Sequence, residues 1–114
     1  MRLLFVCARN RLRSPTAERV FGAVPGVEAE SAGVAPDAEQ TVTPELLAWA
    51  DVILVMEAAH RARLARQFPA ALRGKRVVCL DVPDDYDFMD PVLVALLKER
   101  VGRAIPALAA DQGD

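Results

Sequence analysis

Apolar residues arrive along this chain in short unbroken runs separated by amphipathic stretches. Leu3-Leu4-Phe5-Val6 and Val52-Ile53-Leu54-Val55-Met56 are too short for buried helices and too continuously apolar for half-exposed strands. Both predict parallel strands covered on two faces, a first over 2–6 and a central one over 51–56 placed beside it. Ser14-Pro15 predicts a helix start, with a hydroxyl cap and proline at the first helical position, and an end near Pro25-Gly26. Residues 27–32 alternate as a half-buried edge strand does, and 33–40 read as an irregular connection. Thr43-Pro44 repeats the cap-and-proline device on a short helix. A helix over 57–67, a fourth strand over 75–82, and a last helix capped by Asp90-Pro91 and reaching roughly residue 109 complete the pattern. This order predicts one α/β domain over 1–114, a four-stranded parallel sheet with helices on both faces. In such sheets ligands lie beyond the carboxyl ends of strands where the strand order reverses, and the segment after the first strand starts there.

Composition narrows the partners. Lys and Arg number 14 against 16 Asp and Glu, so no global field draws the chain to nucleic acid or to an anionic membrane. The charge is local instead: Arg9, Arg11 and Arg13 crowd one short segment, while Asp81, Asp84, Asp85, Asp87 and Asp90 gather in another. With two cysteines and one histidine, no zinc-ligand cluster can be drawn, and a disulfide-stapled secreted scaffold does not fit. The first apolar run is too short for a secretory segment, and no run approaches the roughly 18 apolar residues of a membrane span. A reducing cytoplasm is the expected compartment.

The candidate chemistry stands in Cys7-Ala8-Arg9-Asn10-Arg11-Leu12-Arg13-Ser14-Pro15. Five residues between a cysteine and an arginine let the backbone N–H groups from Ala8 to Ser14 curl around one tetrahedral anion while the guanidinium of Arg13 closes the ring. The positive end of the following helix faces the same point. Thiolate is the reactive form of cysteine, and a helix N-terminus with neighbouring guanidinium groups favours it, which suits Cys7 as a nucleophile. Arg13 can hold two equatorial phosphoryl oxygens at once, and Ser14 can hydrogen-bond the sulfur. Asn10 tolerates the left-handed backbone such a loop needs. For Arg9 and Arg11 two roles stay open, a solvated rim or the reading of a second acidic group on the substrate.

This loop resembles that of the low-molecular-weight protein tyrosine phosphatases, V-C-x-x-N-x-x-R-S-P at the end of the first strand. The resemblance continues through Glu30-Ser31-Ala32-Gly33, through Ala50 to Met56 with His60 beyond, and into the strand from Lys75 to Leu80. It implies a phosphomonoester hydrolase that needs no cofactor or metal, passes through a phosphocysteine, and acts on a phosphorylated protein or a small phosphomonoester. Cys7 would be the nucleophile, Arg13 the clamp, and an aspartate the acid that protonates the leaving oxygen. Asp90-Pro91 is better explained as cap and first residue of the last helix. Val82-Pro83-Asp84-Asp85-Tyr86 aligns with the I-P-D-P-Y of bacterial members, which selects Asp84 over Asp81 and Asp90 and puts Tyr86 on the cleft wall.

The chain departs from the family in places. Leu12 stands where a second loop cysteine is usual, so that route of redox protection is excluded, and Arg9 replaces a glycine. Between Gly33 and Thr43 the family's extra helix and its histidine-bearing G-H-x-A-R segment have no counterpart, and His60 is expected on a helix surface. The acidic segment lacks the glycine and distal glutamate of a calcium loop. Two other functions compete: an arsenate reductase of the same fold, for which Cys79 is the sole relay candidate, and a phosphate- or phosphoprotein-binding module without turnover.

Overall fold

The computed structural model describes residues 1–109. Its sheet has four parallel strands, β1 (Arg2–Cys7), β2 (Glu28–Gly33), β3 (Val52–Val55) and β4 (Arg76–Cys79), in the order β2-β1-β3-β4. The chain leaves β1 toward β2 and later returns to the other side of β1, so the order reverses at β1, and the segment after Cys7 opens at that reversal. The helices are α1 (Arg13–Gly22), α2 (Pro44–Trp49), α3 (Ala58–Gln67), α4 (Pro69–Leu72) and α5 (Pro91–Ala104), with a 3-10 turn at Pro106–Leu108.

Strand alternation sorts the core into two halves. Leu3, Phe5, Cys7, Leu54 and Met56 point to one face and pack with Ala17 and Phe21 of α1 and Leu93, Leu97 and Val101 of α5. Leu4, Val6, Ile53 and Val55 point to the other and pack with Leu47 of α2 and Leu64 of α3. Both faces of β1 and β3 are covered, which is why those runs are apolar at every position. The rings of Phe5 and Phe21 lie with centroids 5.6 Å apart and tie β1 to the C-terminal end of α1.

Several boundaries differ from the sequence expectation for physical reasons. Helix α1 starts at Arg13, with Leu12 before it and no side-chain cap; the Ser14 hydroxyl is turned inward, and Pro15 falls within the first turn, where its missing N–H costs nothing. The helix ends at Gly22, and a turn through the left-handed Gly26 (φ 82°) leads on to β2. The last three residues of β2 are buried without alternation because residues 34–42 fold over them, with a bridge between Gly33 and Thr41. The final helix stops at Ala104, since Pro106 disfavours helical geometry at Ile105 (φ −130°, ψ 86°). Helix α4 was not read from the sequence. Caps at Thr43 and Asp90 are as expected: Thr43 Oγ1 accepts from Leu46 N at 3.1 Å and Asp90 Oδ1 from Val92 N at 2.8 Å. Beyond β4 the backbone keeps company with β3, Leu80 N donating to Val55 O and Val82 N to Met56 O, and this carries Val82 and Asp84 toward the end of β1.

Candidate active site

The loop from Cys7 to Arg13 is held from outside by its own carbonyls. Cys7 O accepts from Val34 N (3.0 Å), Ala8 O from Ala35 N (2.8 Å), Arg9 O from Glu39 N (3.1 Å), and Leu12 O from both Thr16 N and Thr16 Oγ1. With carbonyls committed outward, the amides face inward. Among the described residues, the N–H groups of Ala8, Arg9, Arg11, Leu12, Arg13 and Ser14 donate to no protein acceptor. A ring of such amides at a helix N-terminus is an anion cradle. Asn10 makes the bend possible with φ 58°, as its residue type predicts.

At the centre lies Cys7 Sγ, 2.8 Å from Ser14 Oγ and 3.3 Å from the Asn10 N–H. The direction of the surrounding hydrogen bonds can be followed proton by proton. The Ser31 hydroxyl donates to Glu18, so its oxygen accepts from Asn10 Nδ2 (2.8 Å); the other amide proton of Asn10 goes to Ser14 Oγ (3.1 Å). Asn10 takes one lone pair of Ser14 Oγ, and the hydroxyl lies within hydrogen-bond distance of the sulfur, where it can donate to Cys7 beside the Asn10 N–H.

Arg13 is 4% exposed and anchored at two points: Nη1 donates to Glu57 and to Val82 O (2.8 Å). Its Nε lies 3.7 Å from Asp84 Oδ1. The hydrogen bond from Arg13 holds the Glu57 carboxyl below the usual carboxylate range, against a weaker opposing pull from burial. Glu57 in turn caps α3 reciprocally with His60: the Glu57 side chain accepts from the His60 N–H, and His60 Nδ1 accepts from Glu57 N at 3.1 Å. His60 is therefore buried, not a surface helix residue, because the capping box folds its ring back under Glu57. Burial, then the Arg13 charge, holds its imidazole below the ordinary histidine value, against Glu57 and Asp84.

Cys7, Ala8, Arg9, Arg11, Leu12, Arg13 and Asp84 line one cleft of about 440 Å³. The structure thus brings together the loop and Asp84. Tyr86 is partly buried against the α1/α5 face of the core and is not among the residues lining that cleft. Asp81 is exposed with φ 57°, and Asp90 is occupied as a helix cap. Glu57, Ser31 and Glu18 were missed as functional residues. For Glu57 the signal was present, since a carboxylate directly after the strand beside β1 must project into the same crevice.

A family model described as low molecular weight phosphotyrosine protein phosphatase matches residues 2–49, the stretch that holds β1, the loop, α1 and β2. Comparison with curated protein sequences gives no match. Solved structures extend the likeness over almost the whole chain. The tyrosine phosphatase Wzb from Escherichia coli K30, in complex with phosphate, is 26% identical with a TM-score of 0.74, over 94% of this chain and 97% of its own. Wzb from Vibrio vulnificus, in complex with benzylphosphonate, is 27% identical with a TM-score of 0.68, over 95% and 96%. The YwlE arginine phosphatase from Geobacillus stearothermophilus is 25% identical with a TM-score of 0.67, over 93% of each chain. Strand order, cysteine loop and these likenesses agree: the chain is similar over almost its whole length to tyrosine and arginine phosphatases of this fold, and its residues 2–49 match the low molecular weight phosphotyrosine protein phosphatase model.

Proposed function

We propose that this chain hydrolyses phosphomonoesters in two displacements at phosphorus. The phosphoryl oxygens lie in the ring of amides from Ala8 to Ser14, with Arg13 across two of them. Cys7 Sγ attacks phosphorus, the P–O bond to the leaving group breaks, and Asp84 gives its proton to the departing oxygen. A phosphocysteine remains. Asp84, now a carboxylate, takes a proton from water as that water attacks phosphorus; the P–S bond breaks, phosphate leaves, and the Ser14 hydroxyl stabilises the departing thiolate. Glu57 and Val82 O hold the Arg13 fork in place through both steps, so that the charge developing on the phosphoryl group meets a preorganised partner.

The observation that carries this reading is the sulfur itself, hydrogen-bonded to Ser14 Oγ and the Asn10 N–H and flanked by loop amides that have no protein acceptor among the described residues. Turnover of 4-nitrophenyl phosphate by the purified protein tests it. The parent is expected to hydrolyse the ester and Cys7→Ala to be inactive; equal rates in the two would refute the assignment. A binding module would show no turnover in either.

The arsenate reductase reading loses its relay. Cys79 pairs with Val55, which pairs with Val6, so it stands two strands from β1, roughly 10 Å away at ordinary strand spacing. It also packs with the α2/α3 face, whereas Cys7 belongs to the opposite one. Two cysteines bridge only when their Cα atoms lie within about 7 Å. The natural substrate class on this reading is a phosphorylated protein or small phosphomonoester. The relatives act on phosphotyrosine or phosphoarginine by their names, and an aryl ester fits the acid-assisted departure proposed for Asp84. A free thiol at Cys7 suits a reducing cytoplasm; no helix among the described residues is long and apolar enough to cross a membrane.

A further inference from the structure

Three guanidinium groups stand on the cysteine loop, and the structure gives them different company. Arg13 is buried and bound to Glu57 and Val82 O. Arg9 is exposed and faces Asp37 at 3.7 Å, both side chains about 60% exposed, so its charge is offset nearby. Arg11 is exposed, lines the same cleft as Cys7, and among the described residues has no acidic group within ion-pair distance and no side-chain hydrogen bond. Nothing among the described residues uses it. The phosphoryl group does not need it either, because the loop amides and Arg13 already surround a tetrahedral anion. What is left for Arg11 is the part of the substrate beyond the phosphate. A planar cation at a cleft mouth attracts a carboxylate or a second phosphate and repels a cationic neighbour.

We propose that Arg11 selects phosphomonoesters carrying a second anionic group close to the phosphate, and disfavours those whose neighbouring group is cationic. The inference rests on the phosphatase reading above, and the test separates the two. The probes are 3-carboxyphenyl phosphate and its neutral isostere 3-carbamoylphenyl phosphate. Their kcat/KM ratio cancels whatever the loop does for the phosphoryl group itself. For an exposed charge pair at low ionic strength the parent is expected to favour the carboxylate by about threefold to fivefold, falling toward one in high salt. In Arg11→Gln the ratio falls to near one, in Arg11→Glu it falls below one, and in Arg9→Gln it stays above one. The same comparison on phosphotyrosine peptides with Glu or Gln beside the phosphorylated residue distinguishes an anion supplied by a polypeptide from one within a small molecule. A preference in either series that disappears with Arg11 supports the proposal. Equal rates for acidic and neutral probes in both series overturn it while leaving the phosphatase reading intact, and a preference that survives Arg11→Gln removes the assignment to Arg11. If the parent hydrolyses none of the probes, the phosphatase reading itself fails.

Discussion

Ser14 has one proton to give, and the hydrogen bonds around it decide where that proton goes. Asn10 takes one lone pair of the hydroxyl oxygen, and Cys7 Sγ lies 2.8 Å away, so in the proposed reaction the proton is available to the departing sulfur. Ser14→Ala removes that donor, and the proposed phosphocysteine is expected to break down more slowly; stopped-flow comparison of burst and steady-state phases reads this directly. Arg13 works as a fork. Lysine has no fixed planar geometry with which to hold Glu57, Val82 O and two phosphoryl oxygens together, and Arg13→Lys is expected to lower kcat by on the order of 10²–10³. Asp84 and Asp90 separate by what each touches. Asp84 lies in the cleft beside Arg13, so Asp84→Ala is expected to cost on the order of 10²–10⁴ in turnover with little change in stability. Asp90 caps α5, so Asp90→Ala is expected to cost about 1 kcal/mol of stability with turnover nearly kept. The opposite pattern in kinetics and thermal melting would transfer the acid to Asp90. At this scale the sequence revealed the loop residues because spacing, strand and helix start coincide. It hid Ser31, Glu18 and His60, whose roles depend on contacts across the fold.

Elements meet the loop at two places. The end of β2 passes so close to it that a Cβ on Gly33 would stand 2.5 Å from Ala8 O and 2.7 Å from Ala38 Cβ. Gly33→Ala therefore displaces loop backbone, and a loss of about 1–3 kcal/mol together with lower turnover is expected from melting curves and assay. The start of α3 is the second place, where Glu57 and His60 cap one another and Glu57 anchors Arg13. Both groups are held below their ordinary pKa values, so the folded state binds fewer protons than the unfolded chain. Their contributions are complete above the unfolded values and are lost on acidification, His60 from about pH 6.5 downward and Glu57 from about pH 4.3 downward. His60 is the only histidine. Between pH 7 and 5, the melting temperature of the parent is expected to fall more steeply than that of His60→Asn, whose amide oxygen can still accept from Glu57 N. Equal slopes would contradict this. The helix over 57–67 was legible from its periodicity. The inward turn of its third residue was not, because a capping box reverses the direction that surface spacing implies.

For the whole molecule, what matters is which face of the sheet each group occupies and where the strand order reverses. Continuous apolar runs announced covered strands, and alternation within them produced two cores, one above Cys7 and one behind it. The parallel sheet was therefore readable in outline. The covering of β2 by residues 34–42 was not, since that segment has no periodicity and is held by backbone bonds to the loop. Placement on opposite faces also yields an expectation: oxidation of the folded protein is expected to give no intramolecular Cys7–Cys79 disulfide, read as two alkylatable thiols after mild oxidant removal. The proposed function comes down to one chemical event, transfer of a phosphoryl group to sulfur. Rapid acid quench during turnover of an aryl phosphate, followed by peptide mass spectrometry, observes it. The account predicts one phosphoryl group on the peptide containing Cys7, accumulating further in Asp84→Ala if loss of the acid slows hydrolysis more than transfer, and absent in Cys7→Ala. Turnover that persists in Cys7→Ala, or a phosphoryl group found on another residue, would contradict it.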